Sequence, residues 1–288
     1  MAIKPEMLLK VGNEPSESAY SDIHVMLYAL GVGMGRDPMN PDELPYVYER
    51  GLKTLPTLLT VITRPSFGGN LLGDAGVNLV MLVHGEQRLR LEKPIPPKGE
   101  LLTLTKPLAL LDKGKEKGAV YITESEIRLK GSNELLGTLG STLMFRGDGG
   151  FGGPSSGGPE PHELPGRAPD LTVEMPTRAD QALLYRLNGD RNPLHSDPEF
   201  AKAAGFPRPI LHGLCSYGIA AHAVLKAVCD YDHTRMKSFD VRFSRPVFPG
   251  ETLLVDLWTE SRLVSFRARI KERPETTVLN NGRCELFR

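Results

Sequence analysis

Tyr185-Arg186-Leu187-Asn188-Gly189-Asp190-Arg191-Asn192-Pro193-Leu194-His195-Ser196-Asp197-Pro198 is the stretch on which the reading of this chain turns. It closes a helix-like segment, turns at Gly189 and sets a carboxylate and an imidazole around a proline. Pro193 fixes its own φ and pushes Asn192 out of helical geometry, so the turn is stiff. By default an Asp and a His in such a loop cap a helix or sit in solvent. A stiff turn is also a way to hold two proton-handling groups on one water.

The residues just beyond the loop favour the second reading. After Pro207-Arg208-Pro209, the run Ile210-Leu211-His212-Gly213-Leu214-Cys215-Ser216-Tyr217-Gly218-Ile219-Ala220-Ala221-His222-Ala223-Val224-Leu225 is apolar nearly all round, as a fully buried helix is. Its first turn falls near Gly213. Free N–H groups there, with the positive end of the helix dipole, suit an oxygen acquiring negative charge. A held water and such an oxygen site are two halves of one reaction, the addition of water to a carbon β to a carbonyl, or its removal.

The same order occurs earlier in the chain. Leu27-Tyr28-Ala29-Leu30 answers Leu184-Tyr185-Arg186-Leu187, and Lys93-Pro94-Ile95-Pro96-Pro97-Lys98-Gly99-Glu100 answers Arg245-Pro246-Val247-Phe248-Pro249-Gly250-Glu251. Between the copies, residues 147–169 are rich in Gly and Pro, cannot build a core and read as a linker. The expected division is a first repeat over 1–146, the linker, and a second repeat over 170–288. In the first repeat, Gln87–Glu92, Leu101–Thr105, Val120–Glu124 and Gly140–Phe145 alternate, with turns at 96–99, 112–115 and 130–133. Residues 1–20 read as a polar lead-in. Ser21 and Asp22 are N-cap types ahead of a helix over Ile23–Leu30. Gly31-Val32-Gly33-Met34-Gly35 ends that helix. It is no dinucleotide fingerprint, because strand and helix stand in the wrong order around it. The fold class is α+β: two curved antiparallel sheets, each wrapped around a long central helix. Aligning Tyr28 with Tyr185 puts Gly33 at Asp190 and Pro38 at His195. The first copy has lost the dyad and keeps a scaffolding or substrate-holding role.

Composition narrows the function. Among 288 residues, 35 basic and 35 acidic side chains give a net charge of zero, which argues against nucleic-acid or membrane-surface binding. Cys215, Cys229 and Cys284 are too scattered for a disulfide framework or a zinc module. The seven histidines show no His-Glu-x-x-His pattern, so no metal is expected. Ser216 lacks a Gly-x-Ser-x-Gly elbow, which disfavours a serine hydrolase. His222 reads as a satisfied buried histidine. No apolar run approaches a membrane span, and a signal region is absent. The expected setting is cytoplasmic, or peroxisomal in a eukaryote although Leu286-Phe287-Arg288 is no Ser-Lys-Leu address.

Together the 185–195 loop and Pro209-Ile210-Leu211-His212-Gly213-Leu214-Cys215 resemble the hydratase 2 motif of the MaoC-like, (R)-specific 2-enoyl-CoA hydratases. Tyr28–Gly33, His84-Gly85-Glu86-Gln87, Leu111-Asp112-Lys113-Gly114 and Gly149–Gly153 extend the likeness over nearly the whole chain, with Asn188 departing from the small hydroxyl residue common there. The resemblance implies a double hot-dog fold and hydration of trans-2-enoyl-CoA to (3R)-3-hydroxyacyl-CoA. It implies that Asp190 and His195 hold and activate the water, and that the Gly213 amide receives the thioester oxygen. His84, Gly85, Lys113, Arg191, Asn192, Pro193, Leu194 and Phe243 then line the acyl-CoA site. On their own, Lys113 with Lys115 and Lys117 reads as a solvated basic loop, His84 as a strand end and Phe243 as core. No organic cofactor is implied, and family analogy makes the protein a homodimer. Rival functions are dehydration of a (3R)-hydroxyacyl thioester on acyl-carrier protein, hydration of a specialised enoyl-CoA, or acyl-CoA binding without catalysis, for which the dyad would be superfluous.

Overall fold

A computed structural model describes residues 3–10, 14–63, 65, 66 and 70–288. Contacts divide the chain into two compact units that are not its two sequence halves. The first comprises Met1–Ser18, Thr63–Arg90 and Glu100–Pro161; the second comprises Ala19–Ile62, Leu91–Gly99 and His162–Arg288.

The first half contributes strands β1 (Ser16–Tyr20), β2 (Leu82–Leu91), β3 (Gly99–Asp112), β4 (Ala119–Leu129) and β5 (Leu135–Phe145), in the sheet order β1-β3-β4-β5-β2. The second half contributes β6 (Leu171–Pro176), β7 (Asp240–Phe243), β8 (Thr252–Glu260), β9 (Leu263–Ile270) and β10 (Arg273–Glu285), in the order β6-β8-β9-β10-β7. The two orders are the same connectivity: the first strand at one end of the five, the next at the other end, then a three-strand meander between. The internal repeat is therefore a repeat of topology, and the fold is the double hot-dog the sequence predicts. The alternating segments all lie on strands, and the expected turns separate β2 from β3, β3 from β4, and β4 from β5. The strands run longer than their alternating cores, because a paired backbone tolerates polar and small residues at its ends.

β1 corrects the lead-in reading. Ser-Glu-Ser-Ala-Tyr carries little apolar signal, but at the edge of its sheet it is paired on one side only and needs little. Helix α1 (Asp22–Gly31) begins as expected after Ser21, whose N–H donates to His24 Nδ1 at 3.2 Å. A histidine thus takes the place of the usual Glu or Gln of a capping box.

α2 (Gln181–Tyr185) precedes the 185–198 loop, and α3 (Gly213–Val228) is the long central helix of the second half. Every residue of α3 from Cys215 to Leu225 is buried, which its all-round apolar composition requires. Gly218 permits its closest approach to α1, since a Cβ there would lie 2.5 Å from Val32 Cγ1. In the first half the longest helix among the described residues is α1, with ten residues, and it packs within the second unit. The three cysteines are free and buried. Among the described residues no helix is long and apolar enough to cross a membrane.

The Gly/Pro-rich stretch has no regular structure, as expected, yet it is held along its length. The Asp112 carboxylate accepts the N–H groups of Gly114, Gly150 and Gly152 at 2.7–2.8 Å. Only glycine fits at 149, where a Cβ would lie 2.2 Å from the Gly114 carbonyl oxygen. Further on, His162 Nε2 meets Ser265 Oγ at 2.8 Å and Trp258 Nε1 donates to the Arg167 carbonyl at 2.9 Å. The segment is a strap rather than a free linker.

Candidate active site

The site is built where α2 gives way to the loop. One 3-10 turn comes first, and Gly189 at φ 114° stops it in a conformation that a side chain would strain. The loop then stiffens itself: Asp190 Oδ1 accepts the Asn192 N–H at 3.1 Å and Asn192 Oδ1 accepts the Leu194 N–H at 3.0 Å. A second 3-10 turn, Pro193–His195, delivers the imidazole. So Asn192, not Asp190, caps the second turn, and the bracing of the loop by Asp190 occupies only one carboxylate oxygen.

The other oxygen, Oδ2, faces His195 Nε2 at 4.0 Å. That is too long for a direct hydrogen bond, and a small polar molecule can bridge such a gap. The opposite edge of the ring fixes the tautomer. His195 Nδ1 lies 2.9 Å from the Ile210 carbonyl, which can only accept, so Nδ1 carries the proton. In the neutral ring Nε2 therefore presents its lone pair towards Asp190. His195 is 8% exposed, and burial lowers its pKa against the opposing pull of the Ile210 carbonyl and the Asp190 charge. At neutral pH it is a free base.

Gly213 is the first residue of α3, and the first-turn amides point out of the helix. The Phe243 ring packs on its Cα, for a Cβ at 213 would meet Phe243 Cε1 at 3.3 Å. Of the expected site residues, Asp190, His195, Gly213 and Phe243 all belong to the second unit, as do Arg191, Asn192, Pro193 and Leu194. His84, Gly85 and Lys113 belong to the first. There His84 Nε2 lies 3.1 Å from the Glu86 carbonyl and 3.3 Å from Ser141 Oγ. Gly85 is a close-packing glycine, where a Cβ would meet the Thr142 carbonyl at 3.2 Å. Lys113 Nζ donates to the Ser155 carbonyl at 2.5 Å.

Sequence reasoning passed over His212. Its ring stacks on that of His195 with centroids 3.8 Å apart and planes at 27°, and its Nε2–H donates to the Asp190 carbonyl at 3.2 Å. The available signal was position alone, one residue ahead of the helix start. Burial, then the neighbouring His195 charge, lowers its pKa to about 4. Asp190, His195 and His212 offer ligand atoms within 4.8 Å of one another, a set with metal-ligand chemistry. The stacking opposes that use. Two rings inclined by only 27° direct their in-plane lone pairs side by side, whereas a tetrahedral ion needs them to converge. His222, expected to be a satisfied buried histidine, is buried but satisfied only at Nε2, which meets Glu43 Oε1 at 3.2 Å, while its Nδ1 has no hydrogen-bond partner among the described residues.

Comparison with known proteins bears on both halves. Residues 161–281 match the MaoC like domain, and residues 18–147 match the MFE-2 hydratase 2 N-terminal domain. The chain is 40% identical to the enoyl-CoA hydratase ChsH3 of Mycobacterium tuberculosis, over 97% of this chain and 98% of that protein. It is 41% identical to the peroxisomal enoyl-CoA hydratase 2 of Arabidopsis thaliana, over 90% of this chain and 88% of that one. Among solved structures, a MaoC-like dehydratase from Phytophthora capsici superposes with a TM-score of 0.86 at 33% identity, covering 99% of both chains.

Proposed function

The chain belongs to the MaoC-like hydratase 2 family of hydro-lyases, and from that premise we propose that it hydrates trans-2-enoyl-CoA to (3R)-3-hydroxyacyl-CoA in fatty-acid metabolism. The observation that carries the residue assignment is the pairing of Asp190 Oδ2 with a lone-pair-bearing His195 Nε2 at 4.0 Å. Water held between the two attacks the β-carbon. One group takes a proton from the water while the other orients it, and the proton taken is then passed to the α-carbon, so that the dyad ends the cycle in the state in which it began. Charge moving onto the thioester oxygen is received by the Gly213 amide, at the positive end of α3. Chemistry of this kind needs no metal and no organic cofactor. Asn192, Pro193 and Leu194 hold the loop, Phe243 packs beside the amide, and Arg191, in the same loop, contacts the acyl-CoA.

Two experiments test the proposal. Following loss of enoyl absorbance with crotonyl-CoA and with longer enoyl-CoA esters should show turnover, and chiral analysis of the product should show the (3R) alcohol alone. Asp190→Asn and His195→Gln should each lower turnover by about 10² to 10⁴ and leave binding of the CoA ester nearly intact. Full turnover in both variants would remove the dyad from the mechanism. The reverse reaction, dehydration of a (3R)-hydroxyacyl thioester, uses the same groups by microscopic reversibility, and the Phytophthora relative is named for that direction. Rates on CoA and acyl-carrier-protein thioesters decide between the two carriers.

A further inference from the structure

We propose that His212 is a positioning residue for this reaction: its ring sets the plane of the His195 imidazole while its Nε2–H holds the loop that carries Asp190. The inference rests on the functional reading above and extends it, since neither the dyad nor the amide in itself calls for a second imidazole.

Each half of the dyad has one freedom left that His212 removes. His195 is fixed at one edge by the single bond from Nδ1 to the Ile210 carbonyl, about which the ring could pivot. A neighbouring ring stacked at 3.8 Å blocks that pivot. Asp190 comes directly after Gly189, whose φ of 114° marks a point where the backbone turns easily. The bond from His212 Nε2 to the Asp190 carbonyl, 3.2 Å, pins the residue just past it. His212 is itself immobilised, being 1% exposed, packed against the Tyr185 ring at 5.0 Å and set immediately before Gly213. One side chain at the mouth of α3 therefore touches both members of the dyad and adjoins the amide.

The chemistry of His212 suits positioning rather than proton transfer. Its Nε2 proton is committed to a carbonyl, which leaves only a buried Nδ1 lone pair without a hydrogen-bond partner among the described residues. Charged and titratable groups bearing on the stacked pair are Asp190 and Arg186 from the loop and Tyr185 from α2. With burial and His195 added to these, His212 stays uncharged at neutral pH and neither competes for the reacting proton nor repels a protonated His195.

Three variants of the full chain test this: His212→Ala, His212→Phe and His212→Gln. For each, kcat and KM on an enoyl-CoA are measured across pH, and His195 is titrated by NMR without substrate. His212→Ala should lower kcat about 10- to 100-fold with KM within about threefold, as loss of alignment does. It should also raise the His195 titration towards that of a free histidine, because water reaches the exposed ring face. His212→Phe keeps the stack, so the His195 titration should stay close to wild type. His212→Gln keeps a donor for the Asp190 carbonyl but not the stack, so the titration should rise. A folded Ala variant with wild-type kcat and an unmoved His195 titration would overturn the proposal. Should the Ala variant fail to fold, identical behaviour of Phe and Gln in both measurements overturns it instead. Absence of hydration by the wild type would sink the functional reading, and the substrate-free titrations would still decide the role of His212.

Discussion

Replacing Glu43 by Gln should destabilise the protein in a pH-dependent way that can be worked from the structure. Glu43 is 7% exposed, and its carboxylate accepts hydrogen bonds from the Gly35 N–H at 2.8 Å, His222 Nε2 at 3.2 Å and Tyr231 Oη at 3.0 Å. Burial pushes its pKa up, but His222, the Gly35 amide and Tyr231 together outweigh burial and bring it down from 4.5 to about 2. At about 1.4 kcal/mol per tenfold, that depression contributes about 3 kcal/mol at neutral pH. The sign is that of a depressed carboxyl: the contribution is complete above the unfolded value of 4.5 and is lost as pH falls towards 2. Glu43→Gln should thus cost about 3 kcal/mol at pH 7, about half that at pH 3, and little below pH 2. Urea unfolding of both proteins at a series of pH values reads the gap directly. A gap of constant size between pH 7 and pH 3 would show that the loss is one of packing, and the charge-assisted network would then carry none of it.

Three further outcomes are expected. Gly218→Ala should lower stability by about 1–2 kcal/mol despite alanine's better helix propensity, because the methyl would lie 2.5 Å from Val32 Cγ1; thermal unfolding checks this. If neutral His195 is the working form, the acid limb of kcat/KM should fall below pH 6.5, since its pKa is depressed in the free protein; a limb above 6.5 would contradict that. Asp190→Asn should reduce kcat by about 10² to 10⁴ while far-ultraviolet circular dichroism stays unchanged, as loss of an acid–base group does.

Much of this was legible because the decisive signals are local. Alternation in β2 to β5, the proline-stiffened loop and the unbroken apolar run of α3 are each written in consecutive residues. What escaped depends on partners distant in sequence. The Gly150 and Gly152 amides look unattached until the Asp112 carboxylate, some forty residues earlier, accepts them. His212 lies in an apolar run and reads as part of a helix start; its meaning comes from a ring that the loop brings back against it. β1 escaped because an edge strand needs so little apolar sequence that alternation never rises above its polar surroundings.

The turn that follows α1 braces the two helices that lead into the site. That turn holds Gly33 at φ 90° and bonds to both α2 and α3. The Gly31 carbonyl receives the Gln181 side-chain amide at 2.6 Å and the Cys215 thiol at 3.3 Å. Gly35 donates to Glu43, which in turn holds His222 on α3. Arg36 donates to Gln181 at 2.9 Å, at the start of the helix that leads into the Asp190 loop. Its Gly31 carbonyl is an acceptor for both α2 and α3, the two helices that deliver the Asp190 loop and the Gly213 amide. This turn thus acts on the site through the rigidity it gives these helices, and Glu43 and Gln181 are the side chains through which that rigidity passes.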